Sequence, residues 1–492
     1  MKNFFLTMLL LLACLLAQAN NITVSNVSLT GQNTVSGYTL IQFDLSWENS
    51  WRLSTGPANW DAAWVFIKFR VGGGDWQHGS INYADGTAAN DGHTEPVGCT
   101  ISTPSDRVGT FIYRNTDGSG TANFTGIQLR WNYGDNGVAD DDMVDVKVFA
   151  IEMVYVPQGS FYLGGAAGGT ETNRFYGSGD PDQPYLVSGI GSITVGTGAG
   201  QLYYDDNGSG GDQTGPISLF FPKGYNAFYC MKYEVSQEQW IAYFNTLTSA
   251  QKQNFDITGA SRKNSDSEVN GNGIAWTSGN ATTTRADYPV NYVNFQYLHS
   301  YLDWAGLRPM TELEYEKACR GPLYPVIGEY AWGTSNLHAT DYTIQNEGSS
   351  SSVITDMGEL IGNAWYQSTS ANGSGPTRCG IFAASSVNHT REETGGSYYG
   401  IMELTGNLFE FVVSIGSSGG RGFQGLHGNG VLAADGSGNI SGLNEAAGNY
   451  GIRGGSFPYG VSGFSVAGRP FAITIGATTQ STFGIRGVRS GN

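Results

Sequence analysis

Apolar and polar positions alternate with a period of two through most of the first 150 residues. "NITVSNVSLTG", "TLIQFDLSW", "WVFIKFRV", "GTFIYRN", "GIQLRWNYG" and "MVDVKVFAIEMVYV" alternate or run apolar, with Gly, Asn and Asp between them. Six strands with no helical spacing predict an antiparallel β-sandwich over 20–151. The pattern changes from Glu152. "EMVYVPQGSFYLGG" is a strand, a turn and a strand, and 166–222 is a Gly/Asp/Ser-rich insertion or set of surface loops. Three helices follow. "SQEQWIAYFNTL" opens on a Ser236–Gln239 capping box and puts Trp240, Tyr243, Phe244 and Leu247 on one face. "NFQYLHSYLDWAG" is capped by Asn294 and stopped by Gly306; "TELEYEKACRG" has a Thr311–Glu314 box and ends at Gly321. The chain then returns to short strands in Gly/Ser/Asn-rich loops, so the fold class predicted is α+β.

The N-terminus is a targeting segment rather than fold. Lys2, the apolar run Phe4–Leu16 and Ala17-Gln18-Ala19 predict a secretory signal peptide over 1–19, with a lipoprotein-type signal ending in Cys14 as the alternative. No later stretch is apolar enough to span a bilayer. Export places the protein outside the cell, secreted or on its surface. A net charge of −17 repels phosphate backbones and excludes nucleic acid as a partner class. Past the signal, Cys99, Cys230, Cys319 and Cys379 lie far apart with no C-x-x-C spacing, so no zinc or iron–sulfur site is expected, and any disulfide pairing is open. Six of the 11 Trp fall between Trp47 and Trp131, as core or as a sugar-stacking platform, and core packing is the expectation. The run Asp135–Asp145 is a solvated acidic turn or a Ca2+ loop.

The blocks "MVYVPQGSFYLGG", "YEVSQEQWIAYFN", "YPVNYVNFQYLHSYLDWAGLRPMTELEYEKACRG", "YAWG", "YGIMELTGNLFEFV" and "RGGSF…R…FGIRGVR" occur in the order seen in the formylglycine-generating, sulfatase-modifying enzyme family, which 152–492 resembles. The resemblance implies a variant of the C-type lectin fold with long ordered loops. Enzymes of that family hold copper(I) through two cysteines just after the Gly-Gly-Ser-aromatic block. Here Gly454-Gly455-Ser456-Phe457 is followed by Tyr459 where the first cysteine is expected, and no cysteine lies beyond Cys379. Copper(I) requires soft thiolates, so copper and the family oxidase reaction are not expected. Cys319 matches a bridged family cysteine whose partner, expected near Arg469, is absent, so it reads as a small buried hydrophobe. A second branch uses iron on a His-x3-His-x-Glu cluster; the six His at 78, 93, 299, 338, 389 and 427 do not have that spacing. A calcium block does carry over: Glu403 and Glu410 would give carboxylate oxygens, Gly406 and Leu408 carbonyls, with Glu403 departing from the usual Asn or Asp.

Residues 457–479 contain no Lys, Glu, Gln, Met, Trp, Asp, Asn or His. That segment resembles the variable faces written by diversity-generating retroelements on lectin-like folds. A binding or adhesion protein is therefore expected, with Tyr459, Phe464 and Phe471 as contact groups for an extracellular protein or glycan. Arg453, Arg469 and Arg486 are expected to pair with carboxylates rather than to touch ligand. Two alternatives stay open: a structural, self-associating subunit of an extracellular layer or filament, and a sulfatase-maturation-type oxidoreductase.

Overall fold

The computed structural model describes residues 21–491, apart from 87–90, 359, 368–374, 441–445, 447, 462, 474, 475 and 477. The expected signal peptide at 1–19 lies outside the described residues. All six predicted N-terminal strands form, at Thr23–Asn33, Tyr38–Arg52, Asp61–Val71, Thr110–Arg114, Gly118–Trp131 and Val144–Val156; a further strand at Cys99–Ser102 was not anticipated.

An antiparallel sheet runs through the centre of the molecule. Its order is Arg308–Pro309, Gly487–Ser490, Phe228–Met231, Val144–Val156, Asp61–Val71, Thr110–Arg114, Cys99–Ser102, with Gln77–His78 beside Asp61–Val71. Val144–Val156 joins the two regions of the chain. One edge pairs with Asp61–Val71, from Val144↔Val71 to Val154↔Asp61, and the other takes Phe228–Met231 at Met153 to Val156. Position 152, where the sequence pattern changes, lies inside this unbroken strand.

Burial explains why Asp61–Val71 reads as a continuous apolar run: nine of its positions are buried in succession, because both faces are covered. Ala63, Val65, Ile67 and Phe69 form one cluster with Ile41, Phe43, Leu45 and Trp47, which belong to a three-stranded sheet of Thr23–Asn33, Tyr38–Arg52 and Gly118–Trp131. Ala62, Trp64 and Phe66 point the other way, into a cluster with Tyr301, Leu302 and Trp304. Burying an aromatic or large aliphatic side chain contributes roughly 1.5–3 kcal/mol, so this two-sided strand holds the N-terminal region firmly to the rest. Polar ties reinforce it. The Trp64 indole donates to the Ala305 carbonyl at 2.7 Å, Lys68 to Gly430 at 2.8 Å and Asn59 to Tyr399 at 2.8 Å. Trp47, Trp64 and Trp131 are fully buried, as core packing requires. In the acidic turn, Asp135 pairs with Arg107, Asp140 accepts from Tyr133 and Asp145 pairs with Arg70.

The three predicted helices are Gln237–Phe244, Phe295–Trp304 and Glu312–Arg320, each with the anticipated cap. Ser236 and Thr311 close their capping boxes, and the Asn294 side chain accepts from Gln296 and Tyr297. A fourth helix, Ser249–Phe255, has its own box from Thr248 and Gln251. The 166–222 segment needs correction as a set of surface loops. Phe175, Leu202, Tyr204 and Ile217 are wholly buried and join the main core. Its apolar residues are sparse; Leu186, Ile190, Leu219 and Phe220 are exposed, but the others that point inward complete the core, and average composition hides them.

Candidate functional site

The C-terminal strands set the site. Phe409–Val413 pairs antiparallel with Tyr450–Arg453 and parallel with Phe483–Gly484. Between the last two runs the Gly-Gly-Ser-Phe block and the charge-poor segment. Gly454 and Gly455 both sit at positive φ, and neither has room for a side chain. A Cβ on Gly454 would lie 2.7 Å from the Leu404 carbonyl, and one on Gly455 1.9 Å from the Phe464 ring. This close approach lets the block hydrogen-bond to the 403–410 turn. Gly406 N–H donates to Gly454 O at 2.8 Å, Phe457 N–H to Asn407 O at 2.9 Å, and the Ser456 hydroxyl to Asn407 O at 3.2 Å.

Three arginines hold the segment from below, and all three pair with carboxylates. Arg469 reaches Glu312 with Nε at 2.7 Å and Nη2 at 3.0 Å; Arg453 reaches Glu312 at 3.3 Å and Glu316 at 2.8 Å; Arg486 reaches Glu410 at 2.7 Å. Every one of these side chains is buried. Burial alone would raise the Glu312 carboxyl, but Arg469 and Arg453, with the Ile415 amide, hold it below the usual range.

Three residues of the calcium block, Glu403, Gly406 and Leu408, lie on one turn, and Glu410 is in the strand it leads into. Glu403, at positive φ, accepts from Gly380 N–H at 2.7 Å through Oε1, while its Oε2 is buried with no hydrogen-bond partner. Glu410 gives Oε1 to Arg486, and its Oε2 is also buried without a partner. A third buried carboxylate, Glu234, holds the turn by accepting from Leu408 N–H at 3.0 Å and from the Asn407 amide at 2.5 Å. Burial pushes the Glu403 carboxyl up to about 7 against the pull of Arg486, and raises Glu410 and Glu234 as well. Two buried carboxylate oxygens without a hydrogen-bond partner suit a hard cation with oxygen ligands. Among the described residues no group of three or more His, Cys, Asp or Glu side chains is arranged for a metal ion, so an ion here would also need the Gly406 and Leu408 carbonyls. Sequence reasoning did not single out Glu234. Its place in "YEVSQEQ", just ahead of a capped helix, gave no signal that it reaches a turn 170 residues later.

The expected contact residues separate. Tyr459 is 48% exposed, with its ring centroid 5.4 Å from that of Phe409. Phe471 is partly buried and meets Phe409 edge-on at 5.8 Å. Phe464 is a correction: it is 0% exposed, meets Tyr366 edge-on at 5.6 Å and fills the space left by Gly455. A side chain so placed packs the loop and cannot meet a ligand. Pro458 and Val461 are exposed beside Tyr459 instead. The four described cysteines are all unpaired and buried. Cys99 lies in the N-terminal cluster, Cys230 and Cys319 in a core cluster of the C-terminal region, and Cys379 beside Tyr233.

Comparison with known proteins agrees with this geometry. The family model of the sulfatase-modifying factor enzyme 1-like domain matches residues 142–490. Hercynine oxygenase from Mycobacterium tuberculosis (strain ATCC 25618 / H37Rv) is 41% identical over 68 residues, which are 12% of this chain and 16% of that relative. The match thus spans about a sixth of the relative's length, and the oxygenase reaction is a statement about that protein. Among the described residues no helix is long and apolar enough to cross a membrane. The family match begins just before the shared strand and runs almost to the last residue, well over half of the 492-residue chain, so the chain belongs to the sulfatase-modifying factor enzyme 1-like domain family.

Proposed function

We propose that this is an exported binding or adhesion protein whose family domain grips a ligand and does not oxidise one. The N-terminal sheets act as a β-sandwich that supports it on a C-type-lectin-like scaffold. The observation that carries this reading is Tyr459. It stands where the family's copper thiolate is expected, against Phe409, and no cysteine follows Cys379. A phenol cannot replace a thiolate toward copper(I), so the residues present do not fit that metal. What the position offers is a half-exposed aromatic on a rigid base, which gives contact area at low entropy cost. Calcium at Glu403, Gly406, Leu408 and Glu410 would brace the base, and the two partnerless carboxylate oxygens support it. The ligand would be an extracellular protein or glycan, met by Tyr459 and Phe471 and varied through 457–479.

The test supplies copper(I), oxygen and a cysteine-bearing peptide to the full chain and follows bound copper and aldehyde by mass spectrometry. Neither is expected. Stoichiometric copper with aldehyde formation would replace this reading by the maturation-type oxidoreductase. Ordered filaments or sheets of the purified protein in the electron microscope would favour the structural subunit. A near-copy of the DNA for 452–492 beside a reverse transcriptase gene, differing only at adenines, would support a varied ligand face.

A further inference from the structure

A groove of about 770 Å³ opens on the flank of the C-terminal segment. Its walls come from the end of helix Ser249–Phe255, the turn around Ser261, the start of helix Phe295–Trp304, the loop at Asp435–Ser437, and Thr478–Thr479. The volume lies within the roughly 300–1,000 Å³ usual for small-ligand sites. The lining is mostly amide and hydroxyl, with one cation and one anion. Arg262 is the cation, and it is already engaged: Nη1 donates to Asp256 O at 2.9 Å and Nη2 to Asn254 O at 2.6 Å, with the guanidinium 5.3 Å over the Tyr297 ring. Asp435 is the anion, and it accepts from the Ser437 amide and hydroxyl. The Thr479 hydroxyl donates to Ser261 O at 3.3 Å and ties the segment to the opposite wall.

This lining disfavours two classes of ligand. An anionic ligand would meet an engaged Arg262, the Asp435 carboxylate and a chain of net charge −17. A peptide with apolar side chains would find Phe255 and Tyr297 already 5% and 3% exposed, and so closed to it. What remains on offer is the Ser261, Gln296 and Thr478 side chains, each exposed, which make no hydrogen bond to the described residues. An amide and two hydroxyls, each able to donate and accept, match a neutral polyol. We propose that this groove is a binding site for a neutral saccharide, with Gln296, Ser261 and Thr478 as its hydrogen-bonding groups. It is separate from the Tyr459 face and goes beyond the function proposed for that face. Because Thr478 belongs to the same C-terminal segment, changes in that segment would alter sugar preference.

Saturation-transfer NMR on the full chain tests it, with maltotriose, chitotriose and lactose as sugar probes and triglycine and inorganic phosphate as the others. Transfer to at least one sugar is expected. Gln296→Ala should weaken that sugar by about threefold to tenfold, the worth of one hydrogen bond. Thr478→Trp, which fills the groove, should abolish it. Should Thr478→Trp lower the melting temperature, Ser261→Ala takes its place, with the same loss expected as for Gln296→Ala. No transfer to any sugar, transfer unchanged in the groove variants, or stronger transfer to triglycine or phosphate would each overturn the proposal.

Discussion

Glu312 is the residue on which the C-terminal segment turns, and its charge can be removed almost without changing its shape. In Glu312→Gln the side chain keeps its volume, but Arg469 and Arg453 lose the carboxylate they share. Among the described residues Glu316 would then be the anion left to pair with Arg453, and it already faces Arg320 at 3.6 Å and accepts from Gly164 N–H. Arg469 would retain the carbonyls Asn173 O at 2.8 Å and Gly210 O at 3.4 Å and the faces of the Phe175 and Tyr204 rings, but no carboxylate partner among the described residues. Breaking a fully buried pair costs about 3–5 kcal/mol, because the remaining charge cannot reach water. An exposed pair is worth about 0–1 kcal/mol. The control is Asp145→Asn, which breaks the pair with Arg70, whose side chains are 35% and 56% exposed. Urea unfolding followed by tryptophan fluorescence should show a loss of about 3–5 kcal/mol for Glu312→Gln and under about 1 kcal/mol for the control. Acid adds a second signature. The folded Glu312 pKa is depressed, so its contribution is present above the ordinary glutamate value of about 4.3 and is lost as pH falls below it toward the folded value. Wild type should therefore lose more stability than Glu312→Gln across that window. Equal stabilities of Glu312→Gln and wild type at pH 7 would refute the argument that this carboxylate anchors the segment.

Three more outcomes follow from the same geometry. Calcium at a hundred times its dissociation constant should stabilise the protein by about 2.7 kcal/mol over its state in EGTA, measured by thermal unfolding, and Glu403→Gln should reduce the gain; identical melting in both buffers would remove calcium from the 403–410 turn. Phe464→Ala should cost about 3–5 kcal/mol by opening a cavity against Gly455, whereas Tyr459→Ala should stay within about 1 kcal/mol of wild type. In a chain of residues 20–492, a thiol reagent should find no reactive cysteine in the native state and four after denaturation, since Cys99, Cys230, Cys319 and Cys379 are buried and burial pushes the Cys319 thiol up to about 12. Fewer than four in denaturant would show that disulfides form.

The parts of this architecture that depend on near neighbours were legible in the sequence. Helix caps are local: Ser236–Gln239 and Thr311–Glu314 are three residues apart, and the structure places both boxes where the spacing predicts. The Thr248–Gln251 box was visible by the same rule, but the helix it opens is seven residues long and mostly polar, so no periodicity drew attention to it. Two-residue alternation located the N-terminal strands and could not say that Val144–Val156 also carries Phe228–Met231 on its free edge. Charge was the most misleading signal. "ELEYEKACR" looks like a solvated helix face, yet all nine of its residues are buried. Glu314 pairs with Arg308 just ahead of the helix, but Glu312 and Glu316 are met by Arg453 and Arg469, about 140 to 160 positions away, and spacing within a helix holds no record of such distant partners. Phe464 failed for a related reason: an aromatic in a Gly-rich loop has no period to show which way it points.

The arrangement separates what holds the C-terminal segment from what it shows. Its anchors are Arg453, Arg469 and Arg486, and every counter-ion comes from outside the segment, from helix Glu312–Arg320 or strand Phe409–Val413. Between the first two anchors, Phe464 and Val466 pack inward while Pro458, Tyr459 and Val461 face solvent. Substitution at an anchor leaves a buried charge and costs several kcal/mol, a large share of the 5–15 kcal/mol that keeps a domain folded. Substitution at an outward position away from such features usually changes stability by no more than about 0.5 kcal/mol. The outward side chains are thus almost free of folding duty. A scaffold that fixes its base through distant glutamates while Pro458, Tyr459 and Val461 face solvent lets those outward side chains change without disturbing the fold.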